Sequence, residues 1–145
     1  MSETKLRSIL LIDDDDAANF YHEIVIEDSK VAEHVQIVLD GQEAIEYLTS
    51  TGKYEGKSLI RPDLIFLDIN MPRMNGFEFL DAYHRLHEDY KGSAVIVLTT
   101  SLWDEDQQKC NQHNNVHDFK NKPLTEEYLQ QLASVLHSNK LCGTV

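Results

Sequence analysis

Acidic, hydroxyl and amine side chains fall, in chain order, at or just after the ends of short apolar runs. Ile9-Leu10-Leu11-Ile12 stops at Asp13-Asp14, and Leu64-Ile65-Phe66-Leu67 stops at Asp68. Val95-Ile96-Val97-Leu98 stops at Thr99, and Phe119-Lys120-Asn121-Lys122-Pro123 contributes a lysine. Carboxylates gathered in one place repel: two unit charges about 4 Å apart cost roughly 4 kcal/mol at an effective dielectric of about 20. Such a cluster requires a cation. Mg²⁺ suits it, because this ion takes hard oxygen ligands, keeps several waters and commonly uses one or two carboxylates together with a phosphate. The Asn70 main-chain carbonyl offers a further oxygen. With the charge neutralised, Asp68 can attack phosphorus as a carboxylate nucleophile and form an acyl phosphate. Phosphoryl transfer asks mainly for positioning and charge stabilisation, so Lys122 supplies a point charge for one equatorial oxygen and the Thr99 hydroxyl a donor for another.

The elements that must position these groups follow from the hydrophobic pattern. Apolar runs of four to six residues alternate with stretches of helical periodicity, a βαβ rhythm. Strands are expected near 8–12, 34–39, 64–67, 94–99 and 116–119, and helices near 16–28, 41–51, 76–88, 104–113 and 125–138. The runs at 9–12, 64–67 and 94–98 are wholly apolar, as strands covered on both faces by helices must be. Those around Val35-Gln36-Ile37-Val38 and Val116-His117-Asp118-Phe119 include polar residues and read as edges. The pattern fits an α/β, doubly wound, five-stranded parallel sheet of flavodoxin-like order 2-1-3-4-5 with five helices. In that order strands 1 and 3 are neighbours, and ligands bind beyond the carboxyl ends of the strands at the switch point between them. The last helix has a clear apolar stripe in Leu129, Leu132, Ala133 and Leu136, starting at Thr125. The segment 104–113, by contrast, has almost nothing to bury and predicts a marginal, mobile fourth helix.

Composition narrows the function classes. A chain of 145 residues is the size of one domain, expected over 6–138 with tails at 1–5 and 139–145. The formal charge of -12 repels nucleic acid and anionic membrane and favours cations or basic protein surfaces. Cys110 and Cys142 are too few for a disulfide framework and fit a reducing compartment. The first apolar run is far too short to span a membrane. A cytoplasmic protein is expected.

Together, Leu10-Leu11-Ile12-Asp13-Asp14, Asp63-Leu64-Ile65-Phe66-Leu67-Asp68-Ile69-Asn70-Met71-Pro72 with Gly76 following, Leu98-Thr99-Thr100-Ser101, and Phe119 three residues before Lys122-Pro123 form a specific set. On these residues the chain resembles the receiver domain of bacterial two-component response regulators, nearest the single-domain chemotaxis-type members, over about residues 6–138. The resemblance implies that Asp68 is the phosphoacceptor and that Asp13, Asp14 and the Asn70 carbonyl hold Mg²⁺ with it. It implies that Thr99 and Lys122 act on the phosphoryl group, that Thr99 and Phe119 report it, and that the Lys122–Pro123 bond is cis. Asn70, Thr100 and Ser101 flank the site and are expected to tune hydrolysis, while Asp15 and Asp16 fall in the loop and helix start. By the same resemblance the phosphoryl donor is a histidine kinase or histidine phosphotransfer protein. The output is binding of a downstream target protein or onward relay of the phosphate. The chain would then be a free-standing receiver rather than a turnover enzyme, limited to its own phosphorylation and autodephosphorylation.

Each residue also has an ordinary explanation. An acidic run after a strand is most often a solvated turn or helix cap, Asp68 before Met71-Pro72 fits turn chemistry, and Phe119 alone is core filler. Their joint appearance in order is what favours the site. His84 with His87, and His113 with His117, read as solvated surface residues, and Trp103, Phe20 and Tyr21 as core or as partner anchors. A rival Mg²⁺ phosphatase of the haloacid dehalogenase type wants a second acid two residues after its nucleophile, where this chain has Asn70. A nucleotide- or flavin-binding module wants a glycine loop after strand 1, where this chain has aspartates.

Overall fold

The structure, a computed structural model, describes residues 6–69, 71, 74–86, 92–99 and 116–143. In chain order it runs β1 (Ile9–Ile12), α1 (Asp16–Ser29), β2 (Val35–Val38), α2 (Gly41–Thr49), a 3-10 turn (Gly52–Tyr54), β3 (Leu64–Asp68), α3 (Gly76–His84), β4 (Ala94–Thr99), β5 (Val116–Asn121) and α4 (Glu126–Gly143). All neighbouring strands pair in parallel, in the order β2-β1-β3-β4-β5. This is the expected doubly wound sheet. Four α-helices fall among the described residues, and the helix expected over 104–113 lies outside them.

The period of two along each strand sends alternate residues to two separate cores. On one side Leu10, Ile12, Ile65, Leu67, Val95 and Val97 pack against α2 and α3 through Ala44, Tyr47, Phe79, Leu80 and Tyr83. On the other, Ile9, Leu11, Leu64, Phe66, Ile96 and Leu98 pack against α1 and α4 through Ile26, Leu129, Leu132 and Ala133. Double coverage explains why these three strands carry no polar residue before their ends, whereas β2 and β5 are only part-buried.

The helix ends obey local chemistry. Asp15 caps α1, its side chain accepting from the Ala17 and Ala18 amides, and Asp16 lies in the first turn, where a negative charge favours the positive end of the helix dipole. Asn75 and Glu78 form a reciprocal capping box on α3. The Thr125 hydroxyl accepts from the Tyr128 amide at the start of α4, which continues to Gly143, past the 138 expected from its apolar stripe. Two other helices are shorter than expected. α2 stops at Thr49, where Ser50 takes the left-handed conformation, and α3 stops at His84.

β5 contains an irregularity that sequence periodicity does not reveal. Val95 pairs with Val116 but Ile96 pairs with Asp118, so His117 is an extra residue. Such a bulge changes which way the following side chains point. Val116 and Phe119, three apart and so destined for opposite faces of a regular strand, both pack against the α2/α3-side core.

Candidate functional site

Strand register builds the site. Ile12 pairs with Leu67 across β1 and β3, so the next residues, Asp13 and Asp68, emerge side by side at the carboxyl edge. Asp68 pairs in turn with Leu98, which places the Thr99 backbone one residue further along at the same edge. The Asp13, Asp14 and Asp68 carboxylates each offer an oxygen, and these oxygens lie within 4.8 Å of one another. Asp13 and Asp68 are buried and Asp14 is exposed, so the cluster is rooted in the fold and opens to solvent on one side.

Lys122, brought in by the loop after β5, places its Nζ 2.6 Å from Asp13 Oδ2 and 3.6 Å from Asp68 Oδ1. The Lys122–Pro123 peptide is cis. Asp13 is held at its other atoms as well: Oδ1 accepts from the Asp15 amide at 3.0 Å, and the main-chain oxygen accepts from Asn19 Nδ2 at 2.8 Å. Gly76 fixes the far side of Asp68. Its amide donates to the Ile69 carbonyl at 2.8 Å, and a Cβ there would lie 2.7 Å from the Asp68 carbonyl oxygen. Only a glycine lets α3 approach the strand end this closely.

The electrostatics follow from burial. Desolvation, then the neighbouring Asp13 charge, push the Asp68 carboxyl up to about 6 against the opposing pull of Lys122. Burial acts to lower the Lys122 pKa, but the hydrogen bond to Asp13 and the charges of Asp13 and Asp68 outweigh it and hold the amine above its usual value. An acidic pair with a single ammonium between them leaves negative charge uncompensated. The donor set, carboxylate oxygens partly open to water, fits Mg²⁺ or a similar hard divalent ion.

Other expected site residues fare differently. Phe119 is half-buried against the α2/α3-side core and lies opposite Val97 in register. Thr99 closes β4 opposite Asn121. Asn70, Thr100 and Ser101 lie outside the described residues, as do Trp103, His87 and His113. His84 and His117 are exposed, and Phe20 and Tyr21 on α1 are 68% and 49% exposed, so they are not core. Sequence reasoning missed two residues behind the carboxylates, Asn19 and His22, which are only 4% and 2% exposed. The signal was there: the inward stripe of α1 falls at Asn19, His22, Ile26 and Ser29, a helical spacing occupied mostly by polar residues.

A family model described as the response regulator receiver domain matches residues 9–134. The chain belongs to this family. Among curated relatives, this receiver is 37% identical to response regulator Rcp1 of Synechocystis over 98 residues, covering 68% of its own length and 65%, just under two thirds, of Rcp1. It is 31% identical to two-component response regulator 24 of Arabidopsis thaliana, over 94% of this receiver and 86% of that protein. Among solved structures, a two-component response regulator from Cytophaga hutchinsonii superposes with a TM-score of 0.79 at 34% identity, covering 92% of this receiver and 98% of that chain. The Mn²⁺-bound form of Rcp1 superposes with a TM-score of 0.70 at 30% identity, covering 91% and 92%. No described helix of this receiver is long and apolar enough to cross a membrane.

Proposed function

We propose that Asp68 is the phosphoacceptor of this receiver and that the acquired phosphate changes what the protein binds or passes onward. The observation that carries the proposal is the meeting of Asp13, Asp14, Asp68 and Lys122, drawn from three separate segments, at one sheet edge. A carboxylate oxygen of Asp68 attacks the phosphorus of a phosphohistidine on a kinase or phosphotransfer protein. The P–N bond breaks, its electron pair leaves with the donor imidazole, and a mixed anhydride forms on Asp68. Asp13, Asp14 and Asp68, with the Asn70 carbonyl, would hold Mg²⁺, which when bound would supply the charge neutralisation that lets two anions meet; the Mn²⁺ in the related Rcp1 structure supports this choice of ion class.

The chain's own residues do the rest. Lys122 is within reach of a phosphoryl oxygen because it already contacts Asp68, and Thr99 stands at the same edge. A phosphate brings about -1.5 to -2 of charge and three acceptor oxygens. Two charge-assisted hydrogen bonds of about 1.5–3 kcal/mol each approach the roughly 5.5 kcal/mol that turns a 1:99 equilibrium into 99:1. Movement of Thr99 toward the phosphate then frees space beside Val97 for Phe119 and alters the surface around β5. In this reading Asn70, Thr100 and Ser101 set the lifetime of the acyl phosphate. The folded receiver unit spans about 6–138, and it acts in the cytoplasm on a downstream target protein.

Incubation with acetyl phosphate and Mg²⁺, followed by intact-mass measurement, tests the assignment. One phosphoryl group should appear on the wild type and none on Asp68→Ala. Equal labelling of both would defeat it.

A further inference from the structure

Resting on that reading of Asp68, we infer that Asn19 and His22 are positioning residues that hold one buried water against the Asp13–Asp68 carboxylate pair and so tune the site's affinity for its divalent cation. A cavity of about 10 Å³, enough for about one water, lies between the sheet and α1. It is lined by Asn19, His22, Asp13 and Asp68 on its polar side and by Leu11, Ile12, Phe66 and Leu98 on its apolar side. Asn19 Nδ2 is committed to the Asp13 main-chain oxygen, which fixes the amide orientation, and Asn19 Oδ1 is buried with no hydrogen-bond partner among the described residues.

Burying a polar group without a partner is costly, and the inner face of a helix ordinarily carries Leu or Ile. α1 instead spends the two inward positions nearest the carboxylates on an amide and an imidazole, while the next, Ile26, is apolar. Departures from local pattern of this kind concentrate at functional sites. The donor and acceptor count closes around one water. It donates to Asn19 Oδ1 and to the carboxylate pair, and accepts from a His22 N–H. Desolvation, then the nearby Lys122 charge, keep the His22 pKa below its usual value, and an imidazole carries at least one N–H to give in either protonation state. The carboxylates thereby gain an anchor on α1 in addition to those from Asp15 and Lys122. Outer partners of metal ligands typically contribute 10–100-fold in affinity.

The test is calorimetric titration of Mg²⁺ alone into the metal-free full chain. His22→Leu, and independently Asn19→Val, should weaken binding about tenfold, while His22→Gln, which retains an N–H donor, stays within about threefold of wild type. The melting temperature of His22→Leu should equal or exceed that of wild type, because an apolar side chain suits the buried position. Loss of Mg²⁺ affinity with unchanged or raised stability separates positioning from a merely structural role. The wild type needs no substitution for the second readout: a nuclear Overhauser contact from a long-lived water to the Asn19 side-chain amide protons. Absence of that contact, or unchanged Mg²⁺ affinity in His22→Leu, overturns the inference while leaving Asp68 labelling by acetyl phosphate intact. Failure of the wild type to bind Mg²⁺ and to take up phosphate overturns both.

Discussion

Lys122 Nζ lies closer to Asp13 than to the proposed phosphoacceptor: 2.6 Å from Asp13 Oδ2 against 3.6 Å from Asp68 Oδ1. The amine therefore shields the acidic pair and occupies an oxygen that a divalent cation also seeks. All three side chains are at most 13% exposed, so the interaction is only weakly screened by water. Lys122→Met should destabilise the metal-free protein by about 3 kcal/mol, the usual scale when one partner of a buried pair is removed. Added Mg²⁺ should recover much of that loss and bind more tightly than to wild type, since its competitor is gone. Urea unfolding with and without Mg²⁺ checks both statements, and labelling by acetyl phosphate should fall despite the tighter metal binding.

A pH dependence follows from Asp68. Its folded pKa of about 6 stands above the ordinary carboxyl value of 3.8, so between these values the folded state holds more protons than the unfolded state, and stability falls as pH rises. Below that window the carboxyl is neutral in both states and the penalty vanishes. In chelator-treated samples Asp68→Asn should be more stable than wild type at pH 8, with the difference shrinking as pH falls through about 6 and gone only well below 3.8. Thermal melts across that range read it directly. Excess Mg²⁺ should remove the wild-type disadvantage at pH 8.

The tight approach of α3 to the end of β3 makes a separate prediction. A methyl group at position 76 would meet the Asp68 carbonyl oxygen and the Ile69 Cα, each at 2.7 Å, and both are backbone atoms that cannot turn aside. Gly76→Ala should cost about 1–3 kcal/mol in chemical denaturation. Because one of the displaced atoms is the carbonyl oxygen of Asp68, the proposed phosphoacceptor, and the other belongs to the next residue, the rate of labelling by acetyl phosphate should drop even where the protein remains folded.

At the other edge of the sheet, Asp118 holds two partners. Its Oδ2 accepts from the Tyr128 hydroxyl at 2.8 Å and its Oδ1 from the Phe119 amide at 2.8 Å. Burial and then the Asp118 hydrogen bond raise the Tyr128 pKa, so the phenol stays protonated and keeps donating throughout the neutral range. Tyr128→Phe should cost about 1.5 kcal/mol and speed amide exchange across 116–121, the strand that carries Phe119. Unchanged exchange in β5 would show that α4 does not restrain the strand.

How much of this was legible beforehand depends on the range of the interaction that fixes each feature. The middle strands announced themselves because coverage on both faces demands unbroken apolar runs, and the acids announced themselves by ending those runs. The caps at Asp15 and Thr125 are likewise local chemistry, settled within a few residues. The sequence alone thus determined the sheet order, the starts of the described helices to within a residue, and the three aspartates and the lysine that meet at the sheet edge.

Only the tertiary structure decided how those groups meet. The 109-residue separation between Asp13 and Lys122 is closed by parallel pairing across four strands, and no periodicity reports that the lysine prefers the first acid to the second. The bulge at His117 shifts the side-chain alternation of β5 so that Phe119 joins the same core face as Val116. Asn19 and His22 received no role from the sequence, and only packing shows their stripe turned inward. Residue type sets what a group can do, but its ionisation and partners are set by the depth and neighbours that folding gives it.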